Sequence, residues 1–142
     1  MKKSIRWILI GILVLALAIQ LVPYGHDHTN PPVRLEPTWD SEATRSLTES
    51  ACFDCHSDET LWPWYSNVAP VSWLIERDVA EGRSRLDFSE WDSPQRESRN
   101  ASRLVQAGEM PPWYYALIHA NARLSSADKT ALEAGLKATL AQ

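Results

Sequence analysis

Hydrophobic and polar positions divide this chain into an apolar N-terminal segment and a longer region with helical spacing. The run "WILIGILVLALAIQLV", residues 7–22, carries no charge and follows three basic residues among the first six positions. Such a run behind basic residues is typical of a membrane-directed segment. We predict an uncleaved transmembrane helix within residues 1–22. A signal peptide cleaved after Ala16-Leu17-Ala18 is the alternative.

The position of the basic residues predicts how the chain is oriented. They precede the apolar run, so the positive-inside rule leaves the N-terminus in the cytoplasm and exports the rest. We therefore expect a single-pass protein of the cytoplasmic membrane whose domain lies on the periplasmic side. Residues 23–38 are rich in proline and lack apolar periodicity, which predicts a semi-extended linker. Its His26 and His28 form an H-x-H pair, for which solvated imidazoles are a plainer interpretation than a metal site.

Residues 39–142 show helical periodicity, and no segment alternates as a strand does. A first helix begins at Asp40 or Ser41, either of which can cap it, and runs into "ACFDCH". A second begins at Pro70 and ends at Gly82. The apolar face predicted for the first helix consists of Ala43, Leu47, Ala51 and Cys55.

Two further helices complete the predicted all-α domain. One begins at Ser93 and ends at Gly108, and the other begins with the capping-box-like pair Ser125 and Asp128. Gly135 lies beside the apolar stripe of the last helix, where it either lets another helix cross closely or is a tolerated surface glycine. The predicted buried positions of these helices are Ala101, Leu104, Val105, Leu132, Leu136 and Leu140.

The charge balance limits the classes of partner. The formal net charge is −4, from 14 basic and 18 acidic residues, and three of the basic residues lie in the N-terminal segment. The remainder is therefore more acidic still. Nucleic acid is excluded as an expected partner, because phosphate binding requires a clustered basic surface.

Both cysteines of the chain lie in one motif, Cys52-Phe53-Asp54-Cys55-His56. A spacing of three places both thiols on one side of a helical turn, with the histidine one step further on. C-x-x-C-H is the signature of c-type haem attachment, in which two thioethers hold the porphyrin and the histidine binds iron. Cys52 and Cys55 are thus the predicted covalent attachment points of one haem c, and His56 is the predicted proximal ligand.

Two other uses of paired cysteines fit this sequence less well than haem attachment. A thioredoxin-like dithiol follows a buried strand, whereas a polar amphipathic helix leads into this motif. A structural zinc ion needs four ligands, and the histidines left to supply them are His26, His28 and His119.

The second axial ligand of the iron is predicted to be Met110. It lies in "AGEMPPW", between a helix stop and two prolines that stiffen the loop. The alternative role of Met110 is to fill an apolar gap. His119 is the second candidate for distal ligand, although a histidine in an apolar helical context is more often structural. Aromatic clusters follow both ligands, in "LWPWYSN" and "PPWYY", where they would wall the macrocycle or simply pack the core.

From Cys52 onward the chain resembles a bacterial haem-binding domain family of the cytochrome c type. The segments that carry the resemblance are "CFDCHSDETLWPWYSNVAPVSWLIERDVAEGRSRLDFSEW" and "GEMPPWYYALIHANARLS", followed by a last helix, so that it covers about residues 40–141. It implies a membrane-anchored c-type haem protein with a small cytochrome c-like helical domain. It also implies the roles of Cys52, Cys55 and His56, and Met110 follows by analogy with the methionine-proline loops of small cytochromes c.

One-electron transfer with redox protein partners at the membrane is the predicted function, rather than catalysis. A haem ligated by His56 and Met110 would change oxidation state with little rearrangement. The alternatives are a haem-based sensor, in which Met110 is displaced, and a peroxidase-like enzyme with an open distal position beside His119.

Overall fold

The computed structural model describes residues 2–140 and contains six α-helices within them. Their bounds are α1 Lys2–Ile19, α2 Glu42–His56, α3 Val71–Arg85, α4 Ala101–Ala107, α5 Trp113–Ile118 and α6 Ser126–Leu140. Short 3₁₀ helices lie at Trp64–Asn67, Ser98–Asn100 and Ala120–Ala122. In the described residues the only β-pairing is an isolated bridge between Leu35 and Glu90, so the all-α prediction is confirmed there. The predicted regions 1–22 and 39–142 also include residues 1, 141 and 142, which lie outside the described residues.

The predicted transmembrane helix is wrong. Within the described part of the chain, no helix is both long enough and apolar enough to cross a membrane. The first turns of α1 carry Lys2, Lys3 and Arg6, and the helix stops at Ile19. Its uncharged part, residues 7–19, is only about 20 Å long at ~1.5 Å per residue, against ~30 Å of hydrocarbon. The prediction of a single-pass protein of the cytoplasmic membrane with a periplasmic domain is corrected for the same reason.

The chain forms two compact units. The first consists of the residues up to Thr29 together with Trp62–Asp78, and the second of Asn30–Leu61 together with the residues from Val79 onward. Helix α3 therefore contributes its first half to one unit and its second half to the other.

In the first unit, residues 20–28 contact the segment that follows the motif. The side-chain amide of Gln20 bonds both backbone groups of Ala69, at 3.0 Å each. The ring of His28 stacks on Trp62 with centroids 4.5 Å apart, and its Nε2 lies 3.1 Å from the carbonyl oxygen of Ser66. The predicted division into residues 1–22, 23–38 and 39–142 stays a prediction.

The second unit has its core where α2 and α4 pack on α6. Phe88, Leu132 and Leu136 are its largest fully buried side chains. Helix α6 begins with the expected capping box, because Ser125 Oγ accepts from Asp128 N at 3.1 Å and donates to the Asp128 carboxylate at 2.6 Å. The core consists of Ala51, Phe53, Leu86, Phe88, Ala101, Val105, Leu132 and Leu136.

Helix α2 starts where the sequence predicted, and its buried face includes the predicted Ala51 but also two threonines that were not predicted. Ser41 caps it by accepting from Thr44 N at 3.2 Å. Ala43 is exposed, whereas Thr44 and Thr48 are buried, and the Thr48 hydroxyl donates to the Thr44 carbonyl at 2.8 Å. A Cβ on Gly135 would lie 2.0 Å from Thr44 Oγ1. The close helix crossing predicted as one role of Gly135 is therefore confirmed.

Two helix boundaries differ from the prediction. Helix α3 continues past Gly82 to Arg85, so Gly82 is not its stop. Helix α4 begins at Ala101 rather than Ser93, after a short 3₁₀ helix, and ends at Gly108 as predicted, with a left-handed backbone at φ 73°.

Candidate haem site

The C-x-x-C-H motif occupies the end of α2. His56 is its last residue, because Ser57 has an extended backbone with φ −152° and ψ 171°. The Ser57 hydroxyl donates to the Phe53 carbonyl and the Thr60 hydroxyl to the Asp54 carbonyl, both at 2.8 Å. Side chains thus satisfy carbonyls that a helix end would otherwise leave to water.

Neither cysteine forms a disulfide, and each residue as a whole is partly exposed. Cys52 packs against the core of the second unit. Burial, with a smaller contribution from the charge of Cys55, raises the pKa of Cys52 to about 12. A redox-active C-x-x-C cysteine has a lowered pKa instead, so the electrostatics differ from those of a thioredoxin-like site. Within residues 2–140, no three or more His, Cys, Asp or Glu side chains are grouped so as to hold a metal ion such as zinc.

The ring of His56 is oriented by a hydrogen bond from its Nδ1 to a backbone carbonyl. Its Nδ1 lies 2.9 Å from the carbonyl oxygen of Leu86, and since a carbonyl only accepts, Nδ1 carries the proton. Burial lowers the pKa of His56, opposed by the carbonyls of Leu86 and Gly82 and the charge of Asp87. The ring is therefore neutral near pH 7, and Nε2 has the lone pair that a metal requires. Histidine ligands of metals are commonly oriented in this way.

Residues 86–89 hold the motif in place through further backbone contacts. Phe88 N donates to the His56 carbonyl at 2.8 Å. Asp58 N donates to Ser89 Oγ, and Ser89 N donates to the Asp87 carboxylate, both at 2.8 Å. The orientation of His56 is therefore fixed by residues about 30 positions further along the chain.

Gly82 is the point at which α3 meets the motif. A Cβ at this position would lie 2.2 Å from the carbonyl oxygen of Cys55 and 3.2 Å from its Cβ. Real Cβ atoms do not approach a backbone oxygen so closely. The second half of α3 can lie against Cys55 only because residue 82 has no side chain.

Two buried acids lie within electrostatic reach of the motif. Arg83 Nε donates to the Ser57 carbonyl at 2.8 Å and lies 3.7 Å from Asp58 Oδ1, while Asp58 Oδ2 has no hydrogen-bond partner. Burial raises the pKa of both Asp58 and Asp87, and the charge of Asp87 adds to the effect on Asp58. Sequence reasoning did not identify this pair.

Met110 reaches the same core as Cys52. It follows the end of α4, where Glu109 N and Met110 N both donate to the Leu104 carbonyl, at 3.0 and 3.2 Å. Its side chain is partly buried against the core cluster that Cys52 also contacts. The peptide bond between Met110 and Pro111 is cis. The structure thus brings the predicted second ligand and the motif to one core, and ligation of iron by Met110 stays a prediction.

His119 is linked to the motif through a tyrosine. Its Nδ1 lies 3.0 Å from the Tyr115 carbonyl oxygen, and the two rings stack with centroids 3.9 Å apart. The Tyr115 hydroxyl donates to Asp54 Oδ2 at 2.5 Å. Burial first, then the bond to Asp54, raises the pKa of Tyr115, so its hydroxyl remains a donor at ordinary pH.

The aromatic clusters fall into different units. Trp62, Trp64 and Tyr65 belong to the first, whereas "PPWYY" belongs to the second, which also contains the motif. In the second unit, Leu61 and Trp113 are 79% and 76% exposed, and Leu117 and Ile118 are exposed as well. Within this unit, Asp54 links Leu61 and Tyr115, since its Oδ1 accepts from Leu61 N at 2.9 Å and its Oδ2 accepts from the Tyr115 hydroxyl. The second unit therefore exposes apolar side chains on segments that Asp54 ties to the motif, and such side chains suit a flat apolar group such as haem.

Sequence reasoning missed three contributors to the site. These are the Leu86 carbonyl, the close contact at Gly82, and the bond between Asp54 and Tyr115. A glycine inside a helix that continues beyond it can indicate a close backbone approach, and this was the available sign for Gly82. The Leu86 carbonyl is a backbone group, and Asp54 and Tyr115 are 61 positions apart, so neither contact can be recognised from the local sequence.

The fold and the motif together define the class of protein. A helical unit with two adjacent thiols and a neutral, oriented histidine provides what a haem-binding protein of the C-x-x-C-H type requires. The model of the haem-binding domain family matches residues 14–138. The chain belongs to this family, as the sequence resemblance indicated, and its cofactor is haem. Comparisons with curated proteins and with solved structures gave no match.

Proposed function

We propose that this chain is a c-type haem protein that transfers single electrons to and from a redox protein partner. One haem is held covalently by Cys52 and Cys55, with His56 as proximal and Met110 as distal ligand. The observation that carries the proposal is the bond from His56 Nδ1 to the Leu86 carbonyl, directly beside two thiols outside any disulfide. It fixes the tautomer and leaves Nε2 as the metal-binding nitrogen.

The state of the thiols fits covalent attachment. Each thioether forms when the S–H of a cysteine adds across a porphyrin vinyl group, with sulfur bonding to one carbon and hydrogen to the other. Because Cys52 is a protonated thiol near pH 7, it carries both atoms that the addition consumes. When bound, haem supplies an iron that changes oxidation state by one electron.

The surroundings of both ligands favour electron transfer over catalysis. His56 is fixed by Leu86, and Met110 is anchored to Leu104 through the backbone and to the core through its side chain. Ligands held in this way need little movement when the iron changes charge. The exposed Trp113 and Leu117 offer apolar surface on which a redox protein could dock.

A second candidate function is binding of a small ligand at the iron, as in a haem sensor or a peroxidase-like enzyme. It is favoured by the polar group formed by Asp54, Tyr115 and His119 at the motif. A methionine thioether is a weak ligand that another molecule could displace.

The test is production of the full chain in a bacterial host that assembles cytochromes c. We expect a coloured protein whose denatured mass exceeds that of the chain by one haem. The ferric protein should show the weak long-wavelength band of an iron–thioether bond, absent in Met110→Ala and retained in His119→Ala. A colourless product with the mass of the bare chain would refute the proposal. A band lost in His119→Ala instead would reassign the distal ligand, and rapid binding of carbon monoxide to the reduced protein would favour the second function.

A further inference from the structure

The segment between α4 and α6 contains a contact that haem attachment does not require. We call residues 110–122 the strap. Its ends are held by the core, because Met110 packs against the core cluster and Ala122 is 1% exposed. Between these ends lies α5, whose exposed positions include Trp113, Leu117 and Ile118. The middle of the strap is joined to the motif by the bond from Tyr115 to Asp54.

This hydrogen bond is strong and well oriented. Its donor is a phenol, its acceptor is an aspartate side chain, and the two oxygens lie 2.5 Å apart. The other oxygen of Asp54 accepts from Leu61 N at 2.9 Å, so the carboxyl group cannot turn freely. The His119 ring stacks on the ring of Tyr115 and limits its motion on that side.

Helix α5 has little stability of its own. It has six residues, and no side chain caps its N-terminus at Pro112. At its C-terminus, Arg123 donates to the carbonyls of Ala116 and Leu117. Helices this short do not persist in water without tertiary contacts. The position of α5 therefore depends on the ends of the strap and on Tyr115.

We propose that the bond between Tyr115 and Asp54 is a latch that holds the strap, including Met110, against the motif and thereby limits access of small ligands to the iron. The inference rests on the proposed function, because it requires a haem attached at Cys52 and Cys55. Tyr115 is a positioning residue in this proposal. It acts through α5 and the Met110 loop and does not itself bind the iron.

The test compares the haem-loaded wild type with Tyr115→Phe, which removes one oxygen atom and keeps the ring that stacks on His119. Tyr24→Phe makes the same change at an exposed tyrosine outside the strap and is the matched control. Carbon monoxide is added to each reduced protein, and the association rate is measured by absorption. We expect about tenfold faster binding in Tyr115→Phe, the factor that loss of a part-buried bond of ~1.4 kcal/mol would give. Binding in Tyr24→Phe should stay within about twofold of the wild type.

Two further measurements separate the latch from a general loss of structure. In Asp54→Ala, adding Tyr115→Phe should produce no further increase, because the bond is already absent. Hydrogen exchange of the Ala116 and His119 amides, which bond within α5, should accelerate in Tyr115→Phe while the amides of α6 keep their protection.

The outcomes distinguish the latch from the proposed function. If both proteins carry haem and bind carbon monoxide equally fast, the latch is refuted while the haem assignment stands. Equal exchange of the α5 amides in both proteins refutes it as well. A wild type without haem overturns both proposals.

Discussion

Substitution of Gly82 by alanine tests the contact between α3 and the motif. The added Cβ would lie 2.2 Å from the Cys55 carbonyl oxygen, 3.0 Å from its carbonyl carbon and 3.2 Å from its Cβ. Carbon–oxygen contacts in proteins are rarely closer than ~3.3 Å, so the two segments must separate by about 1 Å. The atoms that obstruct the methyl group are mainly backbone, which a rotamer change cannot move.

The expected effect on stability is the difference of two terms. Overpacking costs ~1–3 kcal/mol, and a clash with backbone belongs at the upper end of that range. Alanine gains ~1 kcal/mol over glycine inside a helix. The net loss for Gly82→Ala is therefore about 2 kcal/mol, which lowers the midpoint of thermal unfolding by about 7 °C for a chain of this size.

The assay combines thermal unfolding, followed by helical circular dichroism, with the fraction of chains that carry haem by mass. We expect less haem in Gly82→Ala, because the displaced backbone belongs to Cys55 and is followed by His56. Gly11→Ala is the control, since the same change in α1 brings the new Cβ within 4 Å of nothing. If Gly82→Ala is as stable as the wild type and carries as much haem, the close approach of α3 to the motif does not exist in solution.

Three further changes test other parts of the second unit. In Cys52→Ala or Cys55→Ala, one thioether should remain, so haem stays with the denatured chain, whereas the double variant should lose it on denaturing extraction. Gly135→Ala should destabilise the chain by about 2 kcal/mol, and adding Thr44→Ala should restore part of the loss, because Thr44 Oγ1 is the atom 2.0 Å from the new Cβ. Asp58→Asn should raise stability at pH 7 by about 1 kcal/mol, because it removes a negative charge that burial and the neighbouring charge of Asp87 disfavour. The folded-state pKa of Asp58 is raised, so wild-type stability falls as pH rises above the ordinary value of 3.8, and the advantage of Asp58→Asn should vanish below it in a pH series of thermal unfolding. An advantage that persists in acid, or a less stable Asp58→Asn at pH 7, would contradict this account.

The sequence predicted those features that depend on neighbouring residues. The Ser41 cap, the Gly108 terminus and the capping box at Ser125 each require only a few adjacent positions, and all three are present. The chemistry of the motif is local for the same reason, since a spacing of three within one turn fixes which side chains lie together. The buried face of α2 was predicted less well, because Thr48 is buried through a bond to the Thr44 carbonyl that its polarity did not indicate.

Features that depend on distant contacts could not be predicted. Helix α5 is short and lacks an apolar period, and the bond from Tyr115 to Asp54 joins residues 61 positions apart. The wrong prediction of a transmembrane helix at the N-terminus has a different cause. Counting apolar residues did not reveal that the helix ends at Ile19, with basic residues in its first turns.

The sequence predicted that α3 ends at Gly82, whereas it ends at Arg85. This error explains why the hydrogen bond that orients His56 was not predicted. Within a helix, each carbonyl accepts from the N–H four residues later, as the Gly82 carbonyl does from Leu86 N at 3.0 Å. Because α3 ends at Arg85, the carbonyl of Leu86 has no such partner and accepts from His56 Nδ1 instead. A helix that stopped at Gly82 would not carry Leu86 to this position, and one that continued through residue 90 would use the Leu86 carbonyl itself. The Nδ1-protonated tautomer of His56, which leaves Nε2 free to accept, therefore depends on the length of a helix that contains no residue of the motif.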